Sequence, residues 1–415
     1  MTIPASLSTA EQDLISAVSG FREIMLRHVL DWSAINSGSR NISGLAKMAE
    51  VLTAAFASLG PMSRQASVRV ETLDAQGRAS EIVHGDNLLL RLHPDSPRRV
   101  MLVGHMDTVF PPDHPFQTTQ WLDDDRLNGP GVADMKGGIA VMLAALQAFE
   151  ASCFSGTIGI DVVINADEEV ASLGSAALLA EVASGAQIGL CFEPAQTPEG
   201  VLAGARKGSG NFSLVVRGIA AHAGRNPEDG RNALLAASEI ALQLEALGGA
   251  RHGLTVNPAR IDGGSANNVV PDNAVLRFNV RVEAREDQDW FLGELQTLIE
   301  SVAGARGVSV HLDGGFHRPP KPLDASQLGL FELARSCGRD LGLDISWRPS
   351  GGVCDGNNLA AHGLAVIDTL GVRGAAIHSP QEYLIVESLV ERAQLTALLL
   401  SRIATGNGPP SNGRS

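Results

Sequence analysis

Imidazole and carboxylate side chains suited to metal and proton chemistry stand just beyond several short apolar runs of this chain. His105 and Asp107 end MLVGHMDT, Glu168 and Glu169 end IDVVINADEE, and Glu193 ends IGLCFEP; Asp134 lies in the loop LNGPGVADMKGG and His378 in AAIHSPQEY. Two imidazoles with three carboxylates and no thiolate suit zinc, with cobalt or manganese as replacements. Alone, each residue has a plainer reading. His105 could be a packed histidine, Asp134 a helix N-cap, Glu193 a solvated loop acid, and the Asp167-Glu168-Glu169 run a charged surface. That run follows the apolar GTIGIDVVI, however, and adjacent carboxylates raise one another's cost of ionising. A cation beside it would remove that cost.

Such dispersed residues meet only if the elements carrying them share one rim. Helical spacing of Leu14, Val18, Phe21, Met25 and Val29, and again from Leu45 to Leu52, predicts two leading helices over residues 10–58. Apolar runs at 68–73, 87–92, 98–105, 157–165 and 188–193 then alternate with helical stretches at Met135–Glu150 and Ser175–Ala183. The pattern is α/β with a largely parallel central sheet, in which ligands gather at the carboxyl ends of the strands. Near residue 208 it changes to strand, helix (Asn232–Leu247), two strands, helix (Asp287–Ala303) and strand, an antiparallel ferredoxin-like module. HRPPKPLD (317–324) reads as an extended exit linker. A helix at 326–340, a turn SGGVCDGNN, a strand LAVIDTLG and a last helix to about 405 complete the larger unit. The division expected is therefore 1–208 and 319–405 for one discontinuous domain, 209–318 for the insertion, and a disordered tail over 406–415.

Bulk properties narrow the partners. The 415 residues carry a formal charge of -14, with 44% hydrophobic and 19% charged residues, a globular composition without the basic face that nucleic acid or anionic lipid requires. A small molecule or short peptide is the expected partner. The four cysteines show no CxxC spacing and read as reduced thiols. The first residues lack a secretory pattern and no run of eighteen apolar residues occurs, so a cytoplasmic location is expected.

The strings HMDTVF, GPGVADMKGG, NADEEVAS, CFEP, RKGSGNFSLVVRGIAAHAG, NNVVPDNA and IHSPQEY together resemble the dinuclear zinc aminoacylase and carboxypeptidase family, which contains acetylornithine deacetylase, succinyl-diaminopimelate desuccinylase and bacterial glutamate carboxypeptidase. The resemblance runs in order over residues 85 to 400. It implies a zinc-exopeptidase-like α/β fold with an inserted dimerisation, or lid, domain. It further implies that His105, Asp134 and Glu193 hold one zinc and Asp134, Glu169 and His378 a second, with a cis peptide bond after the bridging Asp134. Two such ions would lower the pKa of a shared water toward about 7. Glu168 would then collect the proton, and Asp107 would orient His105 through its other ring nitrogen. From the inserted module the resemblance assigns His222 to the oxyanion of a neighbouring subunit, implying a homodimer, and Asn268, Arg281, Lys207 and the backbone at Gly352 to the substrate, Arg281 gripping its carboxylate.

HAGRNPEDGRNAL, HSPQE and Ser379 after the last histidine lean toward the glutamate carboxypeptidase branch; Cys354 and Met135 depart from it. The expected reaction is hydrolysis of an amide bond next to a free carboxylate. An N-deacylase acting on an intermediate such as N-acetylornithine is the alternative within enzymes. A silent metal- or peptide-binding protein is the alternative outside them.

Overall fold

The computed structural model describes residues 7–407, so the tail expected over 406–415 lies, from residue 408, outside the described residues. The apolar positions that set the helical period at the start are core: Leu14, Val18, Met25, Val29 and Leu45 are each at most 1% exposed. They sit on three helices rather than two, Thr9–Ser19, Arg22–Ser33 and Ile42–Phe56. The first expected helix is broken at Gly20. A capping box starts it, Ser8 N–H donating to Glu11 Oε2 at 2.8 Å and Glu11 N–H to Ser8 Oγ at 3.3 Å.

Six strands form the central sheet, in the order Ser63–Gln65, Asn87–Leu92, Gly159–Asn165, Arg99–His105, Ile188–Cys191 and Ala365–Ile367. The first two pairings are antiparallel and the remaining three parallel. Gly159–Asn165 is buried at every position and Arg99–His105 at all but the first, as expected of parallel strands covered on both faces. The Gly138–Glu150 helix lies on one of those faces, with Ile139, Val141, Leu143 and Phe149 in the same core. Val132–Glu150 is long and apolar enough to cross a membrane by composition alone, but it is a buried core helix. The 68–73 run, in contrast, joins no large sheet: Val70–Leu73 pairs only with Ala79–Ile82, as a hairpin at the edge of the molecule.

From residue 208 the chain builds a second sheet, ordered Thr255–Gly263, Asn273–Val282, Gly208–Arg217, Ser309–Arg318 and antiparallel throughout. Helices Ala233–Leu247 and Arg285–Arg306 cover one face. This ferredoxin-like βαββαβ unit has its own core, in which Phe212 stacks on Phe278 with ring centres 5.2 Å apart.

The chain then returns to the larger unit through the HRPPKPLD segment, two of whose charges are buried. Arg318 and Lys321 are 3% and 1% exposed, because each pairs with a buried carboxylate: Arg318 with Asp355, and Lys321 with Asp368 at 2.8 Å. The presumed turn SGGVCDGNN also contains a helix, Asp355–Ala361, started by the Cys354 thiol accepting from Gly356 N–H and by Asn357 Oδ1 accepting from Cys354 N–H. All four cysteines are free. The last helix, Glu387–Arg402, packs on Gly138–Glu150 and on the first helix, to which Arg402 is tied by Glu11 at 3.0 Å.

Candidate metal centre and cleft

Three adjacent parallel strands deliver their next side chains to one rim. His105 is the last residue of its strand, Glu168 and Glu169 open a tight turn three residues after Asn165, and Glu193 follows Cys191 by two. Asp134 comes from the turn Val132–Gly137, and since the helix proper begins at Gly138 it is no N-cap. The Glu382 carboxylate shapes that turn by accepting from the backbone N–H groups of Gly131, Ala133 and Asp134 at 3.0–3.2 Å. The Asp134–Met135 peptide bond is cis. His378 arrives from a late loop at φ 62°.

These residues fall into two groups sharing Asp134. In the first, His105 Nε2 lies 3.1 Å from Asp134 Oδ1 and 3.7 Å from Glu193 Oε2. In the second, His378 Nε2 lies 3.2 Å from Asp134 Oδ2 and 3.1 Å from Glu169 Oε2. Donor atoms within each group all lie within 4.8 Å of one another, so each can close around one ion, with Asp134 offering one oxygen to each. Electrostatics agree with that use. Burial, then the neighbouring Asp134 charge, pushes the Glu169 carboxyl up to about 7, and burial also raises Glu193. Hydrogen bonds to Asp134 and Glu169 raise His378 to about 11. Burial would raise Asp134 too, but the two histidines outweigh it and hold it low. Three buried carboxylates thus compete for two imidazoles, a deficit of positive charge that divalent cations would fill.

Around this centre the turn is braced. Asp107 faces His105 Nδ1 through its backbone oxygen at 3.0 Å and its carboxylate at 3.4 Å, leaving Nε2 toward the shared Asp134. The same carboxylate accepts from Ser39 Oγ and from the Glu168 and Glu169 N–H groups. It therefore ties the first ligand strand to the turn of the second. Asp167 is fully buried and accepts from Gly174 N–H and Ser175 Oγ, both at 2.6 Å, which makes it a brace for the acidic turn. Glu168 meets Arg318 at 2.8 Å; burial pushes its carboxyl up, and the Arg318 charge opposes that. Arg318 in turn reaches Asp355 at 3.1 Å and Ser172 Oγ at 3.0 Å.

Residues 101–402 match the family described as Peptidase family M20/M25/M40. The chain belongs to this family. It is therefore a metal-dependent hydrolase of the M20 type, with an α/β fold plus inserted domain. Among M20 relatives, the chain is 28% identical over 377 residues to carboxypeptidase G2 of Pseudomonas sp. (strain RS-16), covering 90% of this chain and 87% of that protein. It is 26% identical over 344 residues to succinyl-diaminopimelate desuccinylase 2 of Shewanella loihica, covering 77% and 88%. In structure it resembles aminopeptidase PepT from Bacillus cereus, with a TM-score of 0.71 at 24% identity over 92% of this chain and 99% of that one. An M20 family metallo-carboxypeptidase from Sulfolobus solfataricus gives 0.69 at 15% identity, again over 92% and 99%.

The remaining residues singled out from the sequence divide between cleft and periphery. Arg281 and Gly352 line the cleft with Glu168, Glu169, Arg318 and His378. Arg281 Nε donates to Asn279 Oδ1 at 2.9 Å, while its Nη1 is buried without a partner. Lys207 points away, its Nζ donating to Gly253 O at 2.7 Å and lying 3.7 Å from Glu283. His222 and Asn268 are exposed neighbours at one end of the inserted module, bridged through His222 and Val269, and do not line this chain's cleft. Sequence reasoning passed over Arg318, Asp355 and Glu382. The last stood inside the IHSPQEY string, whereas the proline-rich context of Arg318 and the glycine-rich context of Asp355 disguised them as linker and turn.

Proposed function

We propose that this chain is a dinuclear zinc hydrolase that cleaves the amide bond joining an acyl or peptidyl group to an amino acid with a free α-carboxylate. The observation that carries this reading is the buried, unpartnered Nη1 of Arg281 in a cleft that it lines together with Glu168, Glu169 and His378. A guanidinium with a spare N–H there suits a carboxylate. His105, Asp134 and Glu193 would hold one ion and Asp134, Glu169 and His378 the other. Two bound cations supply polarisation of the scissile carbonyl and a more acidic water. Glu168 takes the proton from the attacking water and delivers it to the leaving nitrogen, a task suited to a carboxyl whose pKa burial has raised. Arg281 holds the α-carboxylate so that the amide bond lies over the ligand groups.

The same reading includes a homodimer. Strand Thr255–Gly263 is the edge of the inserted sheet, and its Ile261, 38% exposed, lines a groove with its Val256 and Pro258 and with Leu242, 69% exposed, from helix Ala233–Leu247. Pairing of two such edges would cover that groove and allow His222 of the partner subunit to approach the cleft as an oxyanion donor, with Asn268 beside it.

Glu168→Gln tests the chemistry. It should keep about two zinc ions per chain but lower kcat by about 10²- to 10⁴-fold on acetylated or alanyl amino acids. Metal content by mass spectrometry and turnover read the two effects separately, and retained turnover sinks the assignment. If the wild type hydrolyses acetylated diamino acids such as N-acetylornithine and no substrate with an ordinary C-terminal amino acid, the carboxypeptidase side of the reading fails.

A further inference from the structure

The cleft does not end at Arg281. Val170, Ala171, Asn211, Asn279 and His317, which line it beside Arg281, also line a cavity of about 760 Å³ on its far side. One wall is the hairpin Val70–Leu73/Ala79–Ile82. Val70 and Ile82 are directly paired, so their side chains leave the same face, joined two residues on by Thr72, and all three line the cavity. Val170 and Leu173 continue the apolar surface from the turn after Glu169. The hairpin is pinned at both ends of the cavity: Val68 N–H donates to Gly174 O at 3.0 Å, and Arg277 Nη2, from the inserted sheet, donates to Leu73 O at 3.1 Å and Asp74 O at 2.8 Å.

We propose that this cavity receives the side chain of the released amino acid and favours large apolar ones, which rests on Arg281 holding that residue's α-carboxylate. With the carboxylate fixed at Arg281, the side chain has the cavity next to it. Two polar groups at the threshold, Asn279 and Arg277, are already engaged. Asn279 Nδ2 donates to Ser209 Oγ, Gly210 O and Asn211 Oδ1, its Oδ1 accepts from Arg281, and Arg277 is held by Asp262 as well as the hairpin carbonyls. Val70, Ile82, Val170 and Leu173 leave apolar surface on the hairpin side, which an occupant of the same character removes from water; Glu71 and His84, whose buried Nε2 has no hydrogen-bond partner, lie elsewhere on the wall. Arg40, which also lines the cavity, contacts His84 Nδ1 at 3.4 Å and feels the Asp167 and Asp107 charges, and it offers the rival occupant, an acidic side chain.

The experiment compares N-acetyl and alanyl derivatives of phenylalanine, leucine, glutamate and alanine on the zinc-loaded wild type and on Ile82→Trp, with Val70→Phe as an independent filling variant from the facing strand. The phenylalanine-to-alanine ratio of kcat/KM should exceed one in the wild type and fall by about tenfold in either variant. An unchanged ratio in both folded variants overturns the proposal, as does a wild-type preference for glutamate that Arg40→Ala abolishes. Calorimetric binding of free phenylalanine and alanine to the zinc-loaded protein separates this from the reaction itself. If no substrate turns over but phenylalanine binds more tightly and Ile82→Trp removes the difference, the pocket stands and the hydrolase reading falls. Equal binding of the two amino acids removes the pocket.

Discussion

At the level of single residues, the acidic turn is balanced in three different ways. Asp167 is held by Gly174 N–H and Ser175 Oγ, Glu169 turns to His378 and the shared Asp134, and Glu168 turns to Arg318. The expectation from sequence that metal ions alone offset the acidic run was thus incomplete, since a protein cation sits against one of its members. Replacing Arg318 with methionine would strand Glu168 and Asp355 in a dry site. Loss of one partner of a buried ionic cluster costs about 3–5 kcal/mol, which urea unfolding of the metal-loaded protein would read. The Arg318 charge favours ionised Glu168, so its removal should also move the acid limb of the kcat/KM profile to higher pH. A limb that stays in place would mean that Glu168 is not the group titrating there.

At the level of elements, the two crossings between the large and small units are fastened together. Arg206, just before the inserted module, bridges to Lys321, just after it, and both side chains meet Asp368, at 2.7 Å and 2.8 Å. Burial pushes the Asp368 carboxyl up, but the Arg206 and Lys321 charges overcome it and leave it below the usual value. Its contribution to stability is therefore fully present above the unfolded value near 3.9 and is lost as pH falls through the lower folded value. Asp368→Asn should destabilise the protein by about 3–5 kcal/mol at neutral pH, with the gap to wild type closing only below about pH 4. Melting curves across that range check the sign; a gap that closes on the alkaline side would contradict the pairing.

At the level of the whole molecule, the proposed dimer predicts complementation. If His222 serves the cleft of the partner subunit, His222→Ala and Glu168→Gln chains, each nearly inactive alone, should regain turnover when unfolded together and refolded as a mixture. The mixed dimer carries one cleft with both Glu168 and a facing His222, so the ceiling is about one quarter of wild-type activity if assembly is random. No recovery in a mixture shown by sedimentation to be dimeric would place His222 outside the reaction. A monomer of full activity would remove the need for a second copy.

The candidate metal donors, their order along the chain, and the βαββαβ insertion were all legible in the sequence. Strand and helix periods place His105, Glu169 and Glu193 just beyond consecutive apolar runs, and parallel strands must end on one rim. What the sequence could not assign was which ordinary-looking charges face inward. Arg318 and Lys321 sit in a proline-rich stretch and Asp355 in a glycine-rich one, contexts that locally favour exposed turns; they are buried because each meets a counter-charge from a distant part of the chain. The hairpin at residues 70–82 escaped for a related reason, since an apolar period does not record which strand lies across from it. Local propensity and spacing fixed most elements and set the candidate donors at the strand ends, and the family resemblance chose among them; pairings between residues far apart in the chain, such as Glu168 with Arg318, were decided only when the chain closed on itself.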